Sequence, residues 1–334
     1  MKAVAYTTSL PIEDQAALID TTLPDPAPGP HDLLVEVRAV SVNPVDYKVR
    51  KRSDPQGVPK VLGFDAAGVV RAVGAEVTLF RPGDEVFYAG DITRPGTNSE
   101  LHLVDQRIVG PKPRTLDFAQ AAALPLTAIT AWEALFDRIR MPKDAPTTLL
   151  VIGGAGGVGS IAIQLARQLT QARVIATASR PATVAWVREL GAHDAVDHRG
   201  DLAAQVRALG VPGVPFIFST THTDQHWPAI VALVAPQGAL VLIDDPGPID
   251  VRDLKRKAAS LHWELMFTRP MFATGDMIGQ HRLLAEVARL VDAGRIRTTL
   301  AEHFGAITAA NLRRAHAKLE AGTARGKIVL EGWG

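Results

Sequence analysis

The sequence predicts an α/β protein in which a doubly wound parallel sheet is joined to a β-rich unit. Three observations carry this. Residues 1–120 read as short strands cut by turns. From about residue 118 strands alternate with helices, the pattern of parallel strands joined by right-handed crossovers. The chain then closes on an apolar strand that needs a sheet to join. With 334 residues, 47% of them hydrophobic, it has core material for two domains, since single cores rarely grow past roughly 250–300 residues.

The elements follow in order. "KAVAYT" and "LLVEVRAVSV" run as strands, and the proline-rich "LPDPAPGPHD" (23–32) between them is a loop. "AAGVVRAVG" (66–74), "DEVFYAG" (84–90) and "SELHLVD" (99–105) continue the pattern and predict a partly closed barrel with few helices. "DFAQAAALPLTAITAWEALFDRI" has helical periodicity, interrupted at Pro125. A buried strand, a glycine-rich turn and a helix fill 147–169. Strands follow at 172–179, 194–198, 214–220 and 238–244, with helices at "PATVAWVRELG" and "DQHWPAIVALVA". Amphipathic 277–294 and 310–320 read as helices before the last strand, which is expected to return to the first domain. The domains are expected at 1–120 with 270–334, and at 121–269.

Composition narrows the function. A formal net charge of +1 gives no basic field for nucleic acid. The absence of cysteine removes disulfides, thiolate nucleophiles and cysteine zinc sites. No signal peptide is read at the N-terminus and no apolar run approaches 18 residues, so neither export nor membrane insertion is expected and the cytoplasm is the default.

Gly154-Ala155-Gly156-Gly157-Val158-Gly159 satisfies G-x-G-x-x-G between a strong strand and a strong helix, the context that makes the pattern informative. Gly154 is expected to permit the tight turn and Gly156 to let the backbone approach a pyrophosphate. Gly159 would let helix and strand pack closely. With Gly157 and Val158 they place free N–H groups and a positive dipole on the phosphates. An NAD site usually has an acid at the end of the second strand, for the ribose 2′-OH. This chain has Ser179 and Arg180 there, and an arginine pairs with a 2′-phosphate where an acid would repel it. His198 and Arg199 add to that pocket, with Asp197 opposing. NADP(H) is therefore favoured over NAD(H).

With "NPVDYKVR" (43–50), "GFDAAGVV" (63–70), "PLTAITAWEAL" (125–135) and "GGAGGVG" (153–159), the chain resembles the medium-chain dehydrogenase/reductase superfamily over nearly its whole length. It is most similar to the zinc-independent quinone oxidoreductases and enone reductases, in particular to the bacterial "zinc-type alcohol dehydrogenase-like" subgroup. The resemblance implies a GroES-like domain around a Rossmann domain, an active cleft between them and a homodimer formed through the Rossmann sheets. It also implies that Thr127 lies near the nicotinamide carboxamide and that the turn at Asp244 passes near the nicotinamide. Arg325 and Lys327 would close over the cofactor phosphates.

Zinc enzymes of the superfamily carry a ligand Cys and a ligand His where this chain has Asn43 and Phe64. Phenylalanine cannot coordinate a metal, and no metal site is expected. Asp65 then reads as a structural polar residue. His222 and His226 have i, i+4 spacing, with His262 as a possible neighbour, but Thr223 stands where zinc motifs place Glu. A loop or cofactor-side role is the expectation.

Without zinc, activated acceptors remain feasible. A quinone or α,β-unsaturated carbonyl spreads the incoming charge onto an oxygen that hydrogen-bond donors stabilise. The candidate donors are Asn43, Tyr47 and Lys48, the last two read on a strand or turn. Asp46 reads as a buried partner of a cation such as Arg50. The leading expectation is an NADPH-dependent reductase of quinones or enones. The alternatives are a zinc alcohol dehydrogenase and a catalytically silent NADPH-binding sensor.

Overall fold

The computed structural model describes all 334 residues and divides into two compact units, residues 1–129 with 267–334, and residues 130–266.

In the first unit, β1 (Lys2–Tyr6) pairs with β2 (Ile19–Thr22). The ten-residue β3 (Asp32–Ser41) buries every second side chain over most of its length, as period-2 alternation requires. Helix α1 (Pro44–Arg52) follows, then β4 (Lys60–Val61), β5 (Ala66–Val73), β6 (Glu85–Tyr88), β7 (Leu101–Asp105) and β8 (Val109–Pro111). Two helices, α2 (Phe118–Ala122) and α3 (Pro125–Trp132), succeed them, split at Pro125. Stretch 43–52 is thus a helix, not a strand or turn. Pro44 suits a first helical position, and the Asp46 carboxylate accepts the Asn43 N–H at 2.8 Å.

The second unit is one parallel sheet. It contains β9 (Pro146–Ile152), α4 (Gly157–Leu169), β10 (Gln171–Thr177), α5 (Pro181–Glu189), β11 (Asp194–Val196) and α6 (Leu202–Ala208). Then come β12 (Val214–Ser219), α7 (Thr223–Leu233), β13 (Val234–Leu242) and β14 (Ser260–Trp263). The strand order is β11-β10-β9-β12-β13-β14, so the order reverses between β9 and β12. In such sheets ligands bind outside the carboxyl ends of the strands at that switch point. Leu150, Ile152, Ile175, Ile217 and Leu240 form its core. Strand β14 and helix α6 carry no strong signal in the sequence.

The chain completes the first unit with α8 (Thr268–Met271), α9 (Gly279–Asp292), β15 (Leu300–His303), α10 (Ala309–Glu320) and β16 (Lys327–Glu331). Strand β16 pairs antiparallel with β3 in the sheet order β15-β16-β3-β5-β6-β8. The terminal strand therefore sits in the middle of a sheet, and Val35, Val37, Val70, Tyr88, Leu312 and Leu330 pack in one core.

Candidate active site

Two polar assemblies stand out, one in each unit. In the first unit Asp65 is fully buried just before β5. One carboxylate oxygen accepts the Leu126 N–H at 2.8 Å, in the first turn of α3. The other accepts from the Asn43 amide at 2.8 Å and from the Lys327 ammonium at 3.0 Å. Lys327 also donates to the Val42 carbonyl at 3.0 Å and to the Asn43 side-chain oxygen. Burial pushes the Asp65 carboxyl upward, and Lys327 with the donors on Asn43 and Leu126 works against that. Asp46, also buried, is pushed up to about 7 by burial against the Asn43 N–H bond.

These partners correct several sequence readings. Arg50 does not pair with Asp46; its guanidinium bonds Glu320 at 2.6 Å and the Leu10 carbonyl. Asn43 directs its amide hydrogens to Asp65 and, at 3.4 Å, to the Ser41 carbonyl, so it has none left for a ligand and acts as a positioning residue. Lys327 is buried at 3% exposure with three oxygen acceptors around its ammonium, partners other than phosphates. Tyr47 and Lys48 lie on α1, both partly buried. Burial raises the Tyr47 phenol above its usual range, and Lys51 sits 5.9 Å from its ring. Thr127 is buried and donates to the Leu124 carbonyl at 3.1 Å. Arg325 is partly buried in the segment before β16.

The residues at the zinc-ligand positions do not fit a metal. Phe64 packs edge-on against Phe267 with ring centres 5.3 Å apart. Asn43 is held by Asp65 and Lys327, whose ammonium already supplies a cation there. No group of three or more His, Asp or Glu side chains is arranged to hold a metal ion.

The second assembly lies at the carboxyl ends of β9, β10, β11 and β12. Gly153, just before the motif, takes the left-handed φ of +82° that turns the chain, a role expected of Gly154. A Cβ on Gly154 would instead lie 2.8 Å from the Ala176 Cβ. On Gly159 it would meet the Gly153 carbonyl oxygen at 2.3 Å, so helix and turn are in direct contact. On Gly156 it would meet only that oxygen at 3.4 Å. Gly156 is exposed and begins α4 without a side-chain cap, ahead of Gly157 and Val158. This surface fits a pyrophosphate, which needs close backbone approach and helix N–H donors.

Beyond β10, Ser179 is half-buried and Arg180 exposed at the start of α5. Arg199 donates to the Ser179 carbonyl at 2.8 Å and grips Asp197 with two nitrogens, so that acid is already neutralised. His198 sits edge-on to His226, ring centres 6.1 Å apart. His262 is not part of this group; it contacts Ser260 at 3.1 Å on the far strand β14. Asp244 accepts the Thr223 N–H at 2.9 Å and its hydroxyl at 2.6 Å, tying the end of β13 to the start of α7.

One buried group escaped the sequence. Glu133, in the π-helical turn Glu133–Arg138, and Glu264 share Arg138, which bonds Glu264 at 2.7 Å and lies 3.6 Å from Glu133. Burial and the neighbouring Glu133 push the Glu264 carboxyl well up, so the pair holds a proton at neutral pH. Nothing local in the sequence singles out Glu133, and its partner lies 131 positions away. The adjacent Trp263 is 56% exposed on the edge strand β14.

Comparison with known proteins agrees with this geometry. Residues 29–114 match the alcohol dehydrogenase GroES-like domain and residues 190–330 the zinc-binding dehydrogenase family. A zinc-type alcohol dehydrogenase-like protein of Staphylococcus aureus is 40% identical over 313 residues, covering 91% of this chain and 92% of its own. The human mitochondrial NAD(P)H oxidoreductase RTN4IP1 is 32% identical, covering 90% of this chain and 82% of its own. Among solved structures, a Rhizobium etli CFN 42 protein described as a candidate zinc-dependent alcohol dehydrogenase is 63% identical with a TM-score of 0.97, covering 100% and 98% of the two chains. A quinone oxidoreductase of Pseudomonas syringae is 25% identical with a TM-score of 0.83, covering 99% of each chain. The fold and the glycine turn define an oxidoreductase that uses a nicotinamide nucleotide on a small-molecule substrate. The chain belongs to the medium-chain dehydrogenase/reductase superfamily, in its quinone oxidoreductase-like branch.

Proposed function

We propose that this enzyme uses NADPH, without a metal, to reduce quinones or α,β-unsaturated carbonyls. The observation that carries the reading is the closed Asn43–Asp65–Lys327 cluster beside Phe64, which leaves no donor set for zinc where zinc enzymes of the family hold it. An unactivated alcohol then lacks the Lewis acid that would lower its hydroxyl pKa. A conjugated carbonyl needs only hydrogen-bond donors for the oxyanion that forms.

The bound nucleotide supplies the hydride. Gly156 and the amides at the start of α4 hold its pyrophosphate, and Gly154 and Gly159 keep turn and helix in contact behind it. Ser179, Arg180 and His198 receive the 2′-phosphate, and the pairing of the adjacent Asp197 with Arg199 supports NADPH over NADH. Tyr47 and Lys48 on α1 are the donors proposed for the acceptor oxygen and its proton. Lys327 holds Asn43 and Asp65 at the start of that helix and ahead of β5, and Thr127, Asp244 and Arg325 are assigned to the cofactor. A homodimer joined along β14 is part of the reading, supported by the unpaired edge of that strand and by exposed Trp263 and Leu265. So is a cytoplasmic location, in keeping with a cysteine-free chain.

The test is the initial rate of NADPH oxidation by chelator-treated protein with a quinone and with a short enone, against NADH controls. Turnover that survives chelation and prefers NADPH is expected. Activity that appears only on adding zinc would overturn the metal-free reading.

A further inference from the structure

Three loops converge at the carboxyl end of the second unit's sheet, and the glycine turn does not explain what they bring. The loop after β10 supplies Arg180, the loop after β11 supplies His198, and the start of α7 after β12 supplies His222 and His226. The strand order puts β10 and β12 on either side of β9, whose end carries the glycine turn. The histidines meet there although 24 to 28 residues separate them in sequence. His198 and His226 are in edge-to-face contact, and the buried Nδ1 of His198 has no hydrogen-bond partner. His222 holds a left-handed backbone (φ +49°), and its Nδ1 lies 2.7 Å from the Thr221 hydroxyl.

The charges facing this group come from every loop around it. Arg180 is exposed and cationic. Asp197 is gripped by Arg199, and Asp244 by the N–H and hydroxyl of Thr223. Asp224 is exposed in the first turn of α7. Burial and the other cations hold both His198 and His226 below the ordinary imidazole range: Arg199, His222 and Arg180 act on His198, and His198 and His222 on His226. Asp197 pulls His198 the other way, as Asp224 and Asp244 do His226. The His198 and His226 imidazoles are therefore neutral near pH 7, crowded, and beside an arginine. An anion placed among them would reverse the balance, because an opposite charge within about 4–6 Å favours the charged form.

We propose that His198 and His226 form a proton-loading cradle for the nucleotide 2′-phosphate, taking up protons from solvent as the phosphorylated cofactor binds. The inference rests on the NADPH reading above and adds its mechanism of selection. NADH, with a bare 2′-hydroxyl, gives the histidines no reason to charge. NADPH affinity then rises as pH falls toward the values of the free histidines, by up to about tenfold per pH unit for each proton taken up. The 2′-phosphate has its own second pKa near 6. A cationic site lowers that value, so the phosphate's own titration releases protons on binding, the opposite sign.

The experiment is calorimetric titration of the full chain with NADPH and with NADH at pH 7.5, in buffers of different ionisation enthalpy, with Kd for NADPH followed from pH 8 to 6.5. The expected result is net uptake of roughly half to one proton with NADPH, none with NADH, and several-fold tighter NADPH binding across that range. In H198Q/H226Q the uptake should fall while Arg180 keeps part of the NADPH preference; the wild-type comparison decides the matter if that variant does not fold. NADPH bound more tightly than NADH but without uptake, or with release, would overturn the cradle and leave the NADPH reading standing. NADH bound as tightly as NADPH would overturn both.

Discussion

The cluster around Asp65 and the strand ends around Gly156 are both polar, and each contains residues that the sequence singled out. They differ in where their hydrogen bonds go. Around Asp65, carboxylate, ammonium and amide satisfy one another inside the first unit, at 3% exposure or less. Around Gly156 the helix start carries no side-chain cap, and His198 keeps a buried nitrogen without a partner. The first arrangement holds a scaffold together, because buried charge is tolerated only when paired. The second leaves donors and a bare backbone surface for a ligand. A polar motif therefore marks a binding site only when its groups are not already used on each other.

The sharpest way to break that contrast is at Lys327. Lys327→Met leaves Asp65 buried without its cation, and the loss should be about 3–5 kcal/mol of stability. Denaturant unfolding checks it. A milder Asp65→Asn, which keeps an oxygen for Leu126 N–H, separates charge from hydrogen bonding. A near-neutral Lys327→Met would mean that the cluster is not the scaffold described here.

His102 tests the same rule for a second closed group. Its Nε2 lies 3.0 Å from the Pro95 carbonyl, which only accepts, so Nε2 carries the proton and Nδ1 accepts from Tyr88 at 3.2 Å. Burial drives its pKa down from 6.5 to about 4. The neutral form is therefore preferred in the folded state. Its stabilising effect is complete above pH 6.5 and is lost as pH falls from there to about 4, amounting to roughly 3 kcal/mol. Unfolding free energies at pH 7.5 and 4.5 should show that loss, and His102→Gln should reduce it.

In the open site the effects should appear in binding. Gly159→Ala puts a Cβ 2.3 Å from the Gly153 carbonyl oxygen and must move the turn. NADPH affinity should fall about 10- to 100-fold, the equivalent of 1–3 kcal/mol of overpacking. Arg180→Ala should cost about tenfold in NADPH affinity, the scale of a charge-assisted hydrogen bond, with NADH unchanged. Equal losses for both nucleotides would place Arg180 away from the 2′-phosphate.

The two regions were also unequally legible in the sequence. The glycine turn was readable because its signal is local: strand, turn and helix adjoin, and Gly154 and Gly159 each have a nearby steric cause. The Asp65 cluster was not, because Lys327 reaches it from 262 residues away and only β16 pairing with β3 brings them together. Asn43 looked like a donor for the same reason, since nothing nearby shows that Lys327 and Asp65 consume it. Helix α1 read as a strand or turn because its apolar positions are few, although Pro44 and Asp46 marked its start. The unit boundary at Ile129 and Thr130 falls inside α3, where composition does not change.

Backbone hydrogen exchange with and without saturating NADPH tests the central contrast most directly. Amides of residues 154–160 and of the loops carrying Arg180, His198 and His222 should gain protection, while the Asn43 and Leu126 amides, already bonded to buried carboxylates, should be slow in both states. Unchanged exchange in 154–160 with NADPH demonstrably bound would contradict the account.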